Sequence, residues 1–249
     1  MILIILRKYG NNHLFLQLSC VNFNSDINNY VLKLLHMETN TSIKNWITGT
    51  NPNILENIHQ KDVNITIYKR DINLLEKQIN ALLKLNIELK STGDIDTIIH
   101  EISRIIKPND FQLLLQDIKN LLSIFGNITG TKNLKLFLAT INTNMCRKFH
   151  SDVNDLRMLC TYSGPGTLWL KEDNINRKAL EAYKSNEAIV IDENTIQQVD
   201  TGAVTILKGS KYAGKTTKAV VHRSPTIEEK SQKRLLLRID TNEFLKTSY

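Results

Sequence analysis

The sequence predicts an α+β fold in which helices of the first half pack against an antiparallel β jelly roll made by the second. Three observations lead there. Between residues 71 and 125 apolar side chains recur at three- and four-residue steps. From about residue 131 the chain breaks into short β-favouring runs divided by Gly, Pro, Asn or Asp. Only 4 Pro and 10 Gly interrupt 249 residues that are 41% hydrophobic, so the chain can bury a substantial core.

Residues 1–50 read as a poorly defined extension. The run MILIIL is cut short by Arg7, Lys8 and His13, and neither it nor LFLQLSC approaches the roughly 20 apolar residues that span a bilayer. Charge follows the apolar run instead of preceding it, and Gln17 stands where a lipid-modified Cys20 would want a Leu-like residue. No export signal or membrane anchor is expected, and Met37 is an alternative start.

Residues 51–130 read as a mainly helical buttress. Val63–Tyr68 alternates as a single strand. Asp71–Leu85 carries a stripe of Ile72, Leu75, Ile79, Leu82 and Leu83, and Asp94–Ile106 repeats it with Ile95, Ile98, Ile99, Ile102 and Ile105. Asn109 or Asp110 can cap a third helix through Phe111, Leu114, Ile118, Leu121 and Leu122, stopping near Gly126, with Gly130 in the turn beyond. These faces cover one side of a sheet or form a homodimer surface.

Residues 131–249 read as the β domain. Strands are expected at Leu134–Ile141, Leu156–Tyr162, Leu168–Leu170, Ala188–Ile191, Ala203–Lys208, Ala219–His222 and Leu235–Ile239, with a helix at Asn176–Ser185. Short strands with little helix between them favour a sandwich or barrel over a parallel sheet. Gly164-Pro165-Gly166 is a turn that breaks a strand pair.

The formal charge is +7, from 32 basic and 25 acidic residues, but the two signs are interspersed. No Lys/Arg block or aromatic-interleaved basic stripe tracks phosphates, so nucleic acid is not the expected partner. Cys20, Cys146 and Cys160 form no CxxC pair, which predicts a reducing, cytoplasmic setting without a disulfide framework.

His150-Ser151-Asp152 ends a strand-like run, and side chains two apart on an extended chain point to one face. His222 ends a later run, KAVVH. Two imidazoles and one carboxylate make the facial set that holds non-haem iron(II) and leaves positions open for chemistry. The plain alternative is an exposed strand-to-loop pair and a loop-capping histidine. Cys146, four residues before His150, is an additional ligand or a small core residue. Tyr162 and Trp169 line a pocket or pack in the core. Arg147 and Lys148 read as surface charges.

The order of segments after His150 resembles that of the 2-oxoglutarate- and iron(II)-dependent oxygenases: a strand opening near Gly202, a strand ending in His222 before Arg223-Ser224-Pro225, then a last strand with Arg234 and Arg238. The resemblance implies a double-stranded β-helix, cupin-like, with iron(II) on His150, Asp152 and His222 and with 2-oxoglutarate as co-substrate. It implies that Arg234 binds the far carboxylate, a planar pairing that guanidinium suits; Arg238, on the same face, is the substitute. The stretches DVNITIYKR (62–70), MCRKFHSD, LRMLCTYSGPGTLWL (156–170), GAVTILKG and VVHRSP are also similar to a bacterial group, the domain-of-unknown-function family 1826, which carries no assigned activity.

Three functions are therefore open: an iron(II)/2-oxoglutarate dioxygenase, an oxidoreductase acting on an unknown small molecule or protein; a zinc-binding cupin-like protein without turnover, with Cys146 as fourth ligand; or another jelly-roll metalloenzyme that needs no co-substrate. The metal itself, iron, zinc or manganese, is left open.

Overall fold

The computed structural model describes residues 6–9, 13–16, 44–212 and 218–241. In the unit formed by residues 1–42, β1 (Leu6–Tyr9) and β2 (His13–Leu16) pair antiparallel with Leu6 opposite Leu16. Cys20 and Met37, on which the export and start-site expectations rest, lie outside the described residues.

Residues 43–249 form the second unit. Its elements are β3 (Trp46–Gly49), β4 (Ile65–Tyr68), α1 (Glu76–Leu85), β5 (Glu88–Gly93), α2 (Ile95–Ile105), α3 (Gln112–Thr129), β6 (Leu134–Ile141), β7 (Leu156–Ser163), β8 (Leu168–Leu170), α4 (Arg177–Glu181), α5 (Asn186–Ile189), β9 (Gln197–Gln198), β10 (Val204–Lys208), β11 (Val221–Arg223) and β12 (Arg234–Thr241). Seven strands make one sheet in the order β3-β4-β10-β7-β12-β6-β5, and three make another, β11-β8-β9. All neighbours are antiparallel except β3 and β4.

Strand alternation divides the large sheet into two faces. One face contributes Leu134, Leu136, Leu138, Leu156, Met158, Cys160, Tyr162, Leu235, Leu237 and Ile239 to a core shared with Ile79, Leu82, Ile98, Ile102, Leu114, Ile118 and Leu122 of the three long helices. The other face presents Phe137, Ala139, Ile141, Leu159, Leu207 and Leu236, which cluster with Trp169 of β8 and with Val199, Val220 and Ile227. The chain is thus a mixed α and β structure with large sheets. Among the described residues no helix is long and apolar enough to cross a membrane.

Several elements differ from their sequence-based expectations. The first half supplies three strands to the large sheet, not one: β3 and β5 carry only weak alternation and are held by partners distant in sequence. The third long helix runs through Gly126 to Thr129, and left-handed Gly130 ends it. It starts at Gln112 without a side-chain cap, after a short 3-10 turn at Pro108–Asp110. Asp94, in contrast, caps α2 by accepting from the Thr97 amide at 2.8 Å. Of Ala188–Ile191, expected as a strand, Ala188 and Ile189 lie in the one-turn helix α5, and Val190 makes one bridge, to Ile175. Asn186 anchors that turn by accepting from the Phe149 amide and donating to the Arg147 carbonyl.

Candidate metal centre

His150 and His222 are 72 residues apart in sequence and directly opposite in space. They form an isolated antiparallel bridge: the His150 amide donates to the His222 carbonyl at 3.0 Å, and the His222 amide to the His150 carbonyl at 2.9 Å. Opposed residues in such a bridge project to the same side, and the imidazole centroids are 4.7 Å apart. Asp152, two residues on, shares that side. Its Oδ1 is 3.6 Å from His150 Nε2 and its Oδ2 is 3.4 Å from His222 Nε2. One ligand atom from each of the three residues lies within 4.8 Å of the others.

The imidazoles are differently held. His150 Nδ1 is 2.8 Å from the Lys148 carbonyl. A proton on Nδ1 makes that hydrogen bond and leaves the Nε2 lone pair turned toward Asp152, the tautomer a metal ligand needs. When Nε2 is protonated as well it can donate to Asp152, and that interaction, outweighing burial, raises the His150 pKa. His222 is buried and its Nδ1 has no hydrogen-bond partner; burial pulls its pKa down to about 4. That keeps His222 neutral and one ring-nitrogen lone pair available at ordinary pH. Burial pushes Asp152 upward, but the His150 hydrogen bond and the neighbouring Arg157 charge prevail and hold it well below the usual carboxylate range. Once Nε2 of His150 gives up its proton, two imidazoles and an ionised carboxylate are the donor set expected of a site for a borderline divalent cation.

Three contacts hold the loop that carries Asp152. The amides of Gly209, Ser210 and Lys211 donate to the carbonyls of Asp155, Asp152 and Asn154 at 2.8–2.9 Å. Gly209 is required there, because a Cβ would fall 2.0 Å from Asn154 Oδ1 and 2.2 Å from the Asn154 carbonyl oxygen.

Arg234 is 1% exposed. Its Nη2 donates to Thr161 Oγ1 at 3.1 Å, its Nε has no partner, and no carboxylate among the described residues pairs with it. Burial lowers its pKa to about 10. Arg234, Leu236, Arg238 and Asp240 alternate onto the face that also bears Leu159 and Phe137. Arg238 is better solvated; it stacks over Phe137 at 5.0 Å and approaches Asp240 at 3.1 Å.

The other candidates separate. Trp169 is buried opposite His222 across the β8–β11 pair, with an unpartnered Nε1. Tyr162 lies on the helix-covered face and donates to Asp117 at 2.6 Å, in a network where Arg70 makes a two-pronged pair with Asp117. Cys146 is exposed, at a positive φ of 32°, and stands outside the three-residue group. Arg147 and Lys148 are exposed, facing Glu229 and the Tyr183 carbonyl.

Sequence reasoning passed over Arg157, whose Nη1 lies 2.5 Å from Asp152 Oδ2 and whose Nε and Nη2 pair with both oxygens of Asp240. The available signal was its inward position in LRMLCTYS, a cation two residues before Leu159 on an apolar face.

Among solved structures, dioxygenase for auxin oxidation 1 from Arabidopsis thaliana, in a binary complex with 2-oxoglutarate, is similar at a TM-score of 0.52 and 8% identity, over 82% of this chain and 93% of that one. That likeness establishes a related fold. A prolyl-4-hydroxylase from Pseudomonas putida matches at a TM-score of 0.41 and 9% identity over 76% and 97% of the two chains, too weak for any argument. Comparison with curated protein sequences returns no match. Residues 49–240, most of the chain, match the model of a protein family of unknown function, DUF1826, and the chain belongs to that family.

Proposed function

We propose that this protein is an iron(II)- and 2-oxoglutarate-dependent oxygenase built on a double-stranded β-helix, with the three-stranded sheet facing the large one. His150, Asp152 and His222 would hold the iron, and Arg234 would hold the far carboxylate of 2-oxoglutarate. When bound, iron(II) would activate dioxygen, the oxidant; 2-oxoglutarate would supply two of the electrons, leaving as succinate and carbon dioxide, and the hydroxylated small molecule or protein side chain the other two.

The observation that carries the reading is Arg234. A buried guanidinium with one neutral hydrogen-bond partner costs several kcal/mol, a cost offset when an anion occupies the site. A carboxylate can take the Nε left without a partner and form a planar, two-point contact. Thr161 holds the guanidinium edge, and the apolar side chains around it exclude water and strengthen the pairing. The His150 and His222 Nε2 atoms and the Asp152 carboxylate converge from one side, which suits a cation that keeps its remaining positions for ligands. A closed zinc site would need a fourth protein ligand, and among the described residues no other His, Cys, Asp or Glu joins the group.

Anaerobic titration with iron(II) and then 2-oxoglutarate tests this. A weak visible charge-transfer band that needs both components is expected, with 2-oxoglutarate bound about ten-fold or more weakly in Arg234→Gln. Tight zinc retained through purification and no band with iron would overturn it.

A further inference from the structure

We infer that Arg157 is a positioning residue for Asp152, and that Asp240 is the counter-charge that lets a cation stand beside a metal centre without repelling the metal. The inference rests on the reading of His150, Asp152 and His222 as metal ligands.

Asp152 sits on a loop outside the strands, where an unrestrained carboxylate would sample several rotamers. Arg157, near the start of β7, reaches its Oδ2 at 2.5 Å. The same guanidinium is fixed from behind by Asp240 on β12, Nε to Oδ1 at 2.6 Å and Nη2 to Oδ2 at 3.2 Å. Asn154 also donates to Asp240 Oδ1 at 3.3 Å, and Arg238 Nε lies 3.1 Å from Oδ2. The side chains of Asp152, Arg157 and Asp240 are only 13%, 18% and 14% exposed. A guanidinium held at two points donates in a fixed direction, which a lysine ammonium cannot reproduce.

Two consequences follow. Oδ2 is engaged by a cation, so Oδ1 is the carboxylate oxygen with no cation on it, which favours a one-oxygen ligand. The row Asp152, Arg157, Asp240, Arg238 alternates in sign and sums to zero. Arg157 alone would oppose a divalent ion through the low-dielectric interior; paired with Asp240 it contributes its hydrogen bond with little net field.

The opposed effects of charge and geometry dictate the variants. Asp240→Asn loosens Arg157 and leaves its charge unbalanced, so both effects weaken metal binding. Arg157→Gln combined with Asp240→Asn removes one charge of each sign and isolates the loss of positioning. The probe is Co(II) added to metal-free protein, read by its visible absorption, with circular dichroism and thermal melting as checks on folding. The full-length wild type is expected to bind one Co(II) per chain. Both variants are expected to bind it about ten-fold or more weakly, with a changed spectrum. Wild-type affinity and spectrum in the folded variants would overturn the role of Arg157 and leave the metal centre standing. Should the double variant fail to fold, Asp240→Asn alone decides, on the same criterion. Absence of Co(II) binding by the wild type would instead overturn the metal centre itself, and this inference with it.

Discussion

Single atoms decide much at this site. Gly209 is one case: its amide supports the Asp155 carbonyl while its missing side chain leaves room for Asn154. Gly209→Ala forces the 152–155 loop away, and we expect a loss of about 1–3 kcal/mol of stability together with weaker binding of added Co(II); urea unfolding and metal titration check both. Unchanged values would mean that the loop gives way without moving Asp152. Tyr162 is the contrasting case. Its hydroxyl bonds Asp117 behind the sheet, so Tyr162→Phe is expected to cost about 1–2 kcal/mol in urea unfolding and to leave Co(II) affinity as in the wild type. An effect on metal binding would show that the two faces of the sheet are coupled.

Strand pairing converts distant residues into a site. The His150–His222 bridge aligns two imidazoles, and the β8–β11 pair sets Trp169 on the far side of His222. Trp46 meets Trp169 edge-on at 6.1 Å, and these are the 2 tryptophans of the chain. Intrinsic fluorescence is therefore expected to be quenched when Co(II) is added to the metal-free protein, and the quenching to fall strongly in Trp169→Phe. Equal quenching in the variant would place the ion elsewhere. His150, Asp152 and His222 were legible because an HxD pair and a histidine closing an apolar run carry a local pattern. Arg157 and Asp240 were not, since what defines them is their pairing across β7 and β12, and register is set by partners that no local spacing reveals.

At the scale of the whole molecule, buried ionisable groups outside the three candidate ligands shape stability. Lys208 ends β10, donates to the Gln60 carbonyl at 2.8 Å and lies over the Tyr212 ring; burial lowers its pKa from 10.5 to about 8. Between those values the unfolded chain holds a proton that the folded chain has lost, so this group makes stability rise with pH from about 8 to 10.5. Below that window both states are charged and the burial penalty is felt in full. Lys208→Met is expected to stabilise the protein most at pH 7, with a gain that shrinks by pH 10, as followed by urea unfolding. Parallel profiles for the two proteins would contradict the assignment.

The division between sequence and structure follows from the range of the forces involved. Amphipathic periodicity located α1, α2 and α3, and short apolar runs bounded by Gly, Pro, Asn or Asp located β6, β7, β8, β10 and β12, because those signals come from each segment's own burial pattern. Marginal segments needed their neighbours: β3 and β5 are strands because β4 and β6 accept them, and Gly126 stays helical because packing outweighs its propensity. The sequence by itself determined the chemical set, two histidines, an aspartate and two arginines, Arg234 and Arg238, on a final strand. Only the tertiary structure decided that the first three meet, that Cys146 and Tyr162 stand apart from them, and that Arg234 is buried with no counter-charge among the described residues. Ligand convergence and desolvation are properties of the assembled sheets, and neither exists in the chain before its strands pair.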